Sequence, residues 1–311
     1  MDVNLNISAS VLNPSQQSVG PDPTGPVISR IGIHQSPFEL LLSGAISGAL
    51  AKSAVAPMDR LKILFQTNPH RSFSFRNLSL LSREIYGEAG IRAFWKGHTA
   101  TLIRVTPYSA TNFFVFDRTK RFFESYEILH SYPVLLRFAS GAVSGSVAVI
   151  VTYPLETLRA RLAVDLKSQY GSGYLKATTS IIRSEGLRSL YAGLRPTLIG
   201  IVPYAGSSFA IYETFRKDQT SFSSRILIGA VAGFAAQATT YPLDVVRRRM
   251  QVNPNEYRSI ASTFVRVYRQ EGLIHGLYKG LSMNAIKGPI AVAISLNAND
   301  HIKRYLADHS S

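Results

Sequence analysis

Apolar positions along the chain gather into six long runs, and inside alternate gaps the pattern changes to short basic stretches of helical period. The runs centre on 40–56, 99–115, 138–153, 197–211, 226–243 and 281–299. Each approaches the roughly 20 residues that a helix needs to cross a bilayer. Helix is expected over strand because the runs are long and carry glycines four apart: Gly44/Gly48, Gly141/Gly145 and Gly229/Gly233. That spacing lets helix backbones approach closely. Pro57, Pro154 and Pro242 fall near the ends of runs one, three and five, where each is expected to kink its helix. The basic amphipathic segments, near 75–89, 174–185 and 258–271, have the pattern of helices that lie on a membrane surface.

The six runs are three copies of one unit. Pro57-Met-Asp59-Arg-Leu-Lys62, Pro154-Leu-Glu156-Thr-Leu-Arg159 and Pro242-Leu-Asp244-Val-Val-Arg247 each follow their first glycine by 13 residues. Each even-numbered run ends on a second acid–base spacing: Asp117 with Lys120, Glu213 with Arg216, and Asp300 with Lys303. Two crossings per copy return the chain to its starting side. All copies then share one orientation about an axis along the membrane normal, with a ring of acid–base sets at each end. The fold predicted is an all-α membrane protein, six transmembrane helices in three tandem two-helix repeats with three short surface helices. Its parts are a tail at 1–37, repeats at 38–130, 131–220 and 221–306, and a short C-terminal tail at 307–311.

Composition changes this picture little. A mean hydropathy of +0.07 is low for a membrane protein and leaves the class open, while a net charge of +15 asks for an anionic partner. A soluble basic helical protein could use that charge on nucleic-acid phosphates, but it would leave six apolar runs unexplained. The absence of cysteine removes disulfides, thiolate metal sites and cysteine nucleophiles. No repeated histidine cluster, nucleophile motif or phosphate-binding glycine loop points to an enzyme, a metal or a cofactor. Residues 1–36, rich in Ser, Asn, Gln, Gly and Pro, hold Arg30 as their only Lys or Arg and read as a disordered extension. After each surface segment comes a Glu followed within two residues by Gly, then Trp95-Lys96-Gly97, Tyr191-Ala192-Gly193 or Tyr278-Lys279-Gly280. These serve as turns, or as glycine-led helix N-termini that take anionic lipid headgroups with the nearby lysine. Ala192 would weaken the second such site.

The triple Pro-x-[Asp/Glu]-x-x-[Lys/Arg] at this spacing resembles the mitochondrial carrier family, over about 38–306. The resemblance implies a central cavity closed on alternate sides by two salt-bridge networks, with the three surface helices on the matrix side. Asp59, Lys62, Glu156, Arg159, Asp244 and Arg247 would form the matrix gate, braced by Gln66 and Gln251, with Ala163 leaving the second repeat unbraced. Asp117, Lys120, Glu213, Arg216, Asp300 and Lys303 would form the cytoplasmic gate, braced by Phe116 and Tyr212, with Asn299 departing from that pattern. Weak ion pairs suit such a role, since a pair in a wet cavity is worth about 0–1 kcal/mol and can be remade in each cycle.

A substrate lacks threefold symmetry, so residues that break the repeat are informative. Lys52, Arg104 and Lys287 are the Lys, Arg, Asp or Glu left within the six runs once their ends are trimmed. A charge there costs roughly 2.5–3.5 kcal/mol on the insertion scale and is a functional hypothesis by default. Three cations without a carboxylate ask for a polyanion, most simply phosphates. Gly200-Ile201 offers a small apolar slot opposite, and Tyr108, Tyr204 and Asn112 could stack on or hydrogen-bond a base. Within the family, a Gly followed by an aliphatic residue at that place accompanies adenine-nucleotide-type substrates. The stretches 51–66, 241–251 and 276–295 are similar to its coenzyme A carriers. That likeness implies coenzyme A, with adenosine 3′,5′-diphosphate, exchanged for adenine nucleotides; a carrier of adenine nucleotides and phosphate, or of another nucleotide, is the second reading. It further implies the mitochondrial inner membrane, cardiolipin as the anionic lipid, and function as a monomer.

Overall fold

The computed structural model describes residues 37–126, 132–166, 173–216 and 222–309. The N-terminal tail expected from the sequence lies outside them. Among the described residues nine α-helices follow in order: α1 (Pro37–Thr67), α2 (Phe75–Ala89), α3 (His98–Glu124), α4 (Pro133–Val164), α5 (Tyr174–Glu185), α6 (Leu194–Arg216), α7 (Phe222–Val252), α8 (Ile260–Glu271) and α9 (Leu281–His309). The six long helices contain the six apolar runs and extend beyond them, because their ends are charged and amphipathic. Each remains continuous through an internal proline, Pro57, Pro154 and Pro242 in the odd-numbered spans and Pro107, Pro203 and Pro289 in the even ones.

Packing closes the three repeats into a ring. The most extensive helix contacts join neighbouring repeats: α3 with α4, α6 with α7, and α9 back onto α1. Small residues make these contacts possible, but on a stripe one position before the glycines. Ser43, Ser47 and Ala51 on α1, Ser140, Ser144 and Ala148 on α4, and Ala232 and Ala236 on α7 are buried. A Cβ added at Gly44, Gly48, Gly141, Gly145, Gly229 or Gly233 would meet nothing within 4 Å. The expected close backbone approach at the glycine pairs is therefore corrected: the serine–alanine stripe is the packed one, and Gly141 and Gly145 line a cavity.

One helix among the described residues, Leu135–Val164, is long and apolar enough to cross a membrane by length and composition alone. The other five long helices fall short of that composition because their inward faces carry charges, hydroxyls and glycines. Their outward faces are apolar: Leu50, Ile103, Phe113, Val202, Phe234 and Ile290 are all exposed. An exposed apolar belt around a polar interior marks a membrane-facing surface.

The tightly buried apolar clusters lie at the proline end. Each short helix drops one aliphatic residue, Ile85, Ile181 or Val267, fully into the seam with the preceding long helix. Gly97 (φ 87°) and Gly193 (φ 79°) then start α3 and α6 hard against α4 and α7. A side chain there would lie 2.9 Å from the Arg159 carbonyl oxygen and 2.8 Å from that of Arg247. The positive φ and the close approach together require glycine.

Candidate functional site

At the proline end α1, α4 and α7 converge, and their acid–base residues meet across helices. Arg159 Nη2 of the second repeat donates to Asp59 Oδ2 of the first at 2.7 Å. Arg247 of the third pairs with Glu156 of the second, a residue 3 % exposed. The third connection differs: among the described residues Lys62 makes no ion pair with Asp244, and its ammonium lies 5.0 Å from the centre of the Tyr241 ring. A lysine that stops over an aromatic face is held by the ring's negative quadrupole. The glutamines reach across to tyrosines. Gln66 Nε2 donates to the Tyr241 hydroxyl at 3.1 Å and Gln251 Nε2 to the Tyr153 hydroxyl at 3.0 Å, each on a neighbouring repeat, while Gln251 Oε1 also accepts at 2.8 Å from Arg248, which lies 3.4 Å from Glu156. Ala163 and Ala56 occupy the corresponding places at the remaining interface, so both members of the device are absent there.

Behind this ring lies a second set of contacts that sequence reasoning missed. Helix C-termini leave carbonyls without intrahelical partners and favour nearby cations. Arg60 Nε donates to Ala163 O at 2.9 Å, Arg161 Nε to Gln251 O at 2.9 Å, and Arg249 Nε to Gln66 O at 3.0 Å. Each repeat thus caps the odd-numbered span of the next, in a closed cycle, with arginines no more than 2 % exposed. Their remaining nitrogens are also held, Arg161 by Glu185 through two 2.7 Å bonds and Arg249 by Glu271 at 2.5 Å. Two lysines extend the cycle: Lys96 donates to Asp165 O, and Lys279 Nζ to Asn68 O at 2.9 Å. The lipid-binding reading of these lysines is corrected accordingly. Lys279 is 2 % exposed and bound to Glu271, and burial pushes its pKa below the ordinary lysine value against the upward pull of that carboxylate. A signal was present, since Arg161 and Arg249 both stand seven residues after their prolines; Arg60 stands one helical turn earlier.

Above the proline-end ring a cavity of about 510 Å³ opens between α3, α4, α6 and α7. Arg104, Tyr108, Asn112, Gly200, Ile201 and Tyr204 all line it. Glu156, Asp244 and Arg247 line it as well. Arg104 is already engaged: Nη1 lies 3.2 Å from Glu156 Oε2, Nε donates to Thr152 Oγ1 at 3.1 Å, and the guanidinium stacks 5.1 Å from the Tyr108 ring centre. Lys52 and Lys287 are not part of this lining. Lys287 reaches Asp59 from α9, so Asp59 serves two cations. Lys52 is exposed on α1, in the electrostatic field of Arg159, Lys287, Asp59 and Arg104.

The far-end ring is arranged differently. Asp117 pairs with Arg121 at 2.9 Å and Lys120 with Glu124 at 3.5 Å, both along α3 rather than across helices. Phe116 is half-buried on the same helix, and Asp300 and Lys303 stand one turn apart on α9. The side chains of Tyr212, Glu213 and Arg216 lie outside the described residues.

Comparison with known proteins agrees with this architecture. The family model of the mitochondrial carrier protein matches three times, over 34–127, 130–222 and 218–310. The mitochondrial coenzyme A transporter of Xenopus tropicalis is 44 % identical over 280 residues, covering 86 % of this chain and 85 % of that protein. Its Homo sapiens counterpart is 44 % identical over 283 residues, 86 % of this chain and 87 % of that one. The thylakoid ADP,ATP carrier protein of Arabidopsis thaliana is 33 % identical over 294 residues, 90 % of this chain and 68 % of the other. A threefold helical ring, an apolar exterior, a polar cavity above cross-repeat ion pairs and a family match over all three repeats converge. The chain belongs to the mitochondrial carrier family and is a multi-pass transporter of the inner mitochondrial membrane, not an enzyme.

Proposed function

We propose that this carrier imports coenzyme A, and adenosine 3′,5′-diphosphate, in exchange for adenine nucleotides by alternating access. The observation that carries the mechanism is that two candidate substrate cations are held by proline-end carboxylates, Arg104 on Glu156 and Lys287 on Asp59. A diphosphate entering the cavity competes for those cations. As it takes them, Glu156 and Asp59 each lose a counter-charge, and the pairs of Glu156 with Arg247 and Arg248 and of Asp59 with Arg159 become the remaining ties of a matrix gate. Opening is driven only by interactions stronger in the occluded state than in either open one. Cation transfer from carboxylate to phosphate is an interaction of that kind. Lys52 joins as the third phosphate ligand, and the base lies against Gly200-Ile201 between Tyr108, Tyr204 and Asn112. The far-end set, with its described α3 members paired along their own helix, is the cytoplasmic gate in its open form.

The coenzyme A transporters at 44 % identity support this substrate. The Arabidopsis ADP,ATP carriers, at 33 % and 35 %, favour a second reading in which adenine nucleotides themselves are the main cargo. One chain encloses the cavity, so a monomer suffices. Cardiolipin is proposed at the N-termini of α3, α6 and α9, through backbone N–H groups and without Lys96 or Lys279. The deciding experiment is uptake of labelled coenzyme A by liposomes containing the purified protein, preloaded with ADP, adenosine 3′,5′-diphosphate or nothing. Uptake that requires internal nucleotide is expected, and its abolition by Arg104→Ala or Lys287→Ala in correctly inserted protein. Absent coenzyme A uptake beside robust ADP exchange would move the assignment to the second reading.

A further inference from the structure

One wall of the cavity is set by α7, which presents Gln237, Thr240, Asp244 and Arg247 along a single face. Their spacing of three, four and three residues is that of one helix stripe. Two of the four are occupied. Arg247 pairs with Glu156, and the Thr240 hydroxyl donates to Ala236 O at 3.2 Å. Gln237 differs, because its side-chain amide has no hydrogen-bond partner among the described residues although it is only partly exposed and lines the cavity. Its threefold counterparts are Lys52 on α1 and Val149 on α4, each five residues before its proline. The same rung therefore carries a cation, an aliphatic side chain and an amide, and the last two face the same cavity.

The rest of that cavity is shaped for something flat. Gly141 and Gly145 leave α4 without side chains there, and Gly200 leaves a gap on α6 where a Cβ would meet only Leu243 Cδ1, at 3.9 Å. Val149 and Ile201 supply apolar faces, with Arg104 and Arg247 as the cationic groups of the same space. An amide beside an apolar slot has one strong use: a glutamine pairs bidentately with the adenine edge, its carbonyl accepting from the N6 amine and its NH₂ donating to N7. Hypoxanthine replaces the N6 donor with an acceptor, and 7-deazaadenine removes the N7 acceptor. The NH₂ could also donate to a phosphate oxygen, but the carbonyl could not, so only a base edge with adjoining donor and acceptor engages both ends of this amide.

We infer that Gln237 is a specificity-determining residue that reads the N6/N7 edge of the substrate's adenine. This deepens, and rests on, the proposed nucleotide-carrier function. The test uses full-length protein in liposomes loaded with ADP, with uptake of labelled ADP competed by unlabelled ADP, inosine diphosphate and 7-deaza-ADP. In the wild type each analogue is expected to compete about tenfold less well than ADP, and in Gln237→Leu all three are expected to fall within about twofold of one another. Wild-type protein that accepts 7-deaza-ADP as readily as ADP would overturn the inference, and so would a Gln237→Leu carrier that keeps the tenfold preference. Should that variant fail to insert, the analogue competition in the wild type decides alone. Wild-type liposomes that take up neither ADP nor coenzyme A would show a different failure, that of the carrier function itself, and would remove the inference with it.

Discussion

The interface at which repeat 3 caps repeat 1 and the one at which repeat 2 caps repeat 3 are assembled from the same four devices, and each lacks a different one. The devices are an ion pair, a glutamine–tyrosine bond, an arginine on a helix-end carbonyl, and a lysine on the carbonyl two residues further on. Between repeats 3 and 1 the ion pair at the repeated positions is missing, since Lys62 lies over Tyr241 rather than on Asp244, and Lys287 on Asp59 joins the two repeats from a different place. Between repeats 2 and 3 the lysine is missing, because Ala192 stands in its place. There the carbonyl in question, Asn253 O, accepts from the backbone N–H groups of Glu256 and Tyr257 at 3.2 and 3.0 Å instead. The interface between repeats 1 and 2 lacks the glutamine and its tyrosine. What this teaches is that a threefold closure need not be threefold in kind. Ion pairs beside the cavity can exchange partners with an anionic substrate, whereas buried caps can be undone only by moving the helix they hold.

The comparison breaks most severely at the buried arginines. Arg249→Ala would leave the Gln66 carbonyl uncapped and part of the charge on Glu271 unmatched at once, and should cost at least about 3 kcal/mol, read as a large fall in thermal unfolding temperature in detergent. An unchanged melting profile would show that the caps are incidental. Lys279→Ala comes next: Glu271 keeps Arg249, so the loss is expected near 1–3 kcal/mol, that of one buried hydrogen-bond partner. Lys62→Arg sharpens the contrast in the other direction. Its longer, forked head should reach Asp244 and complete the third ion pair, adding no more than about 1 kcal/mol while slowing exchange by up to about fivefold. Faster exchange by this variant would mean that Lys62 already serves the closed state better over the tyrosine ring. The smallest effect is expected for Ala192→Lys, within about 0.5 kcal/mol of the parent, because Asn253 O already accepts two bonds. A clear stabilisation there would imply that the loop yields its carbonyl to the lysine.

Much of the site was legible because repetition multiplies a weak signal. One proline followed by an acid and a base is an ordinary helix surface; three in register locate a ring, and the structure brings Asp59 to Arg159 and Glu156 to Arg247 across repeats. Arg104 and Gly200 could be found by counting because a helix fixes which residues share a face. The arginine caps escaped notice for a physical reason. Their acceptors are backbone carbonyls, which every residue has, so the sequence of the accepting helix shows no complementary side chain. The glycine pairs misled for a related reason: the serine–alanine stripe beside them has the same four-residue spacing, and nothing local says which stripe meets a neighbour.

By itself the sequence determined the number of helices, their threefold arrangement and the residues that meet at the proline end. All of these follow from periodicity and spacing, which are properties of one chain segment at a time. Only the tertiary structure decided which base answers which acid, that Lys287 and Arg104 rest on proline-end carboxylates, that Lys96 and the buried Lys279 cap helix-end carbonyls, and that Gln237 lines the cavity without a side-chain partner among the described residues. Those depend on how far each helix is rotated and how closely neighbouring repeats approach, and that rotation is fixed by side chains from another repeat.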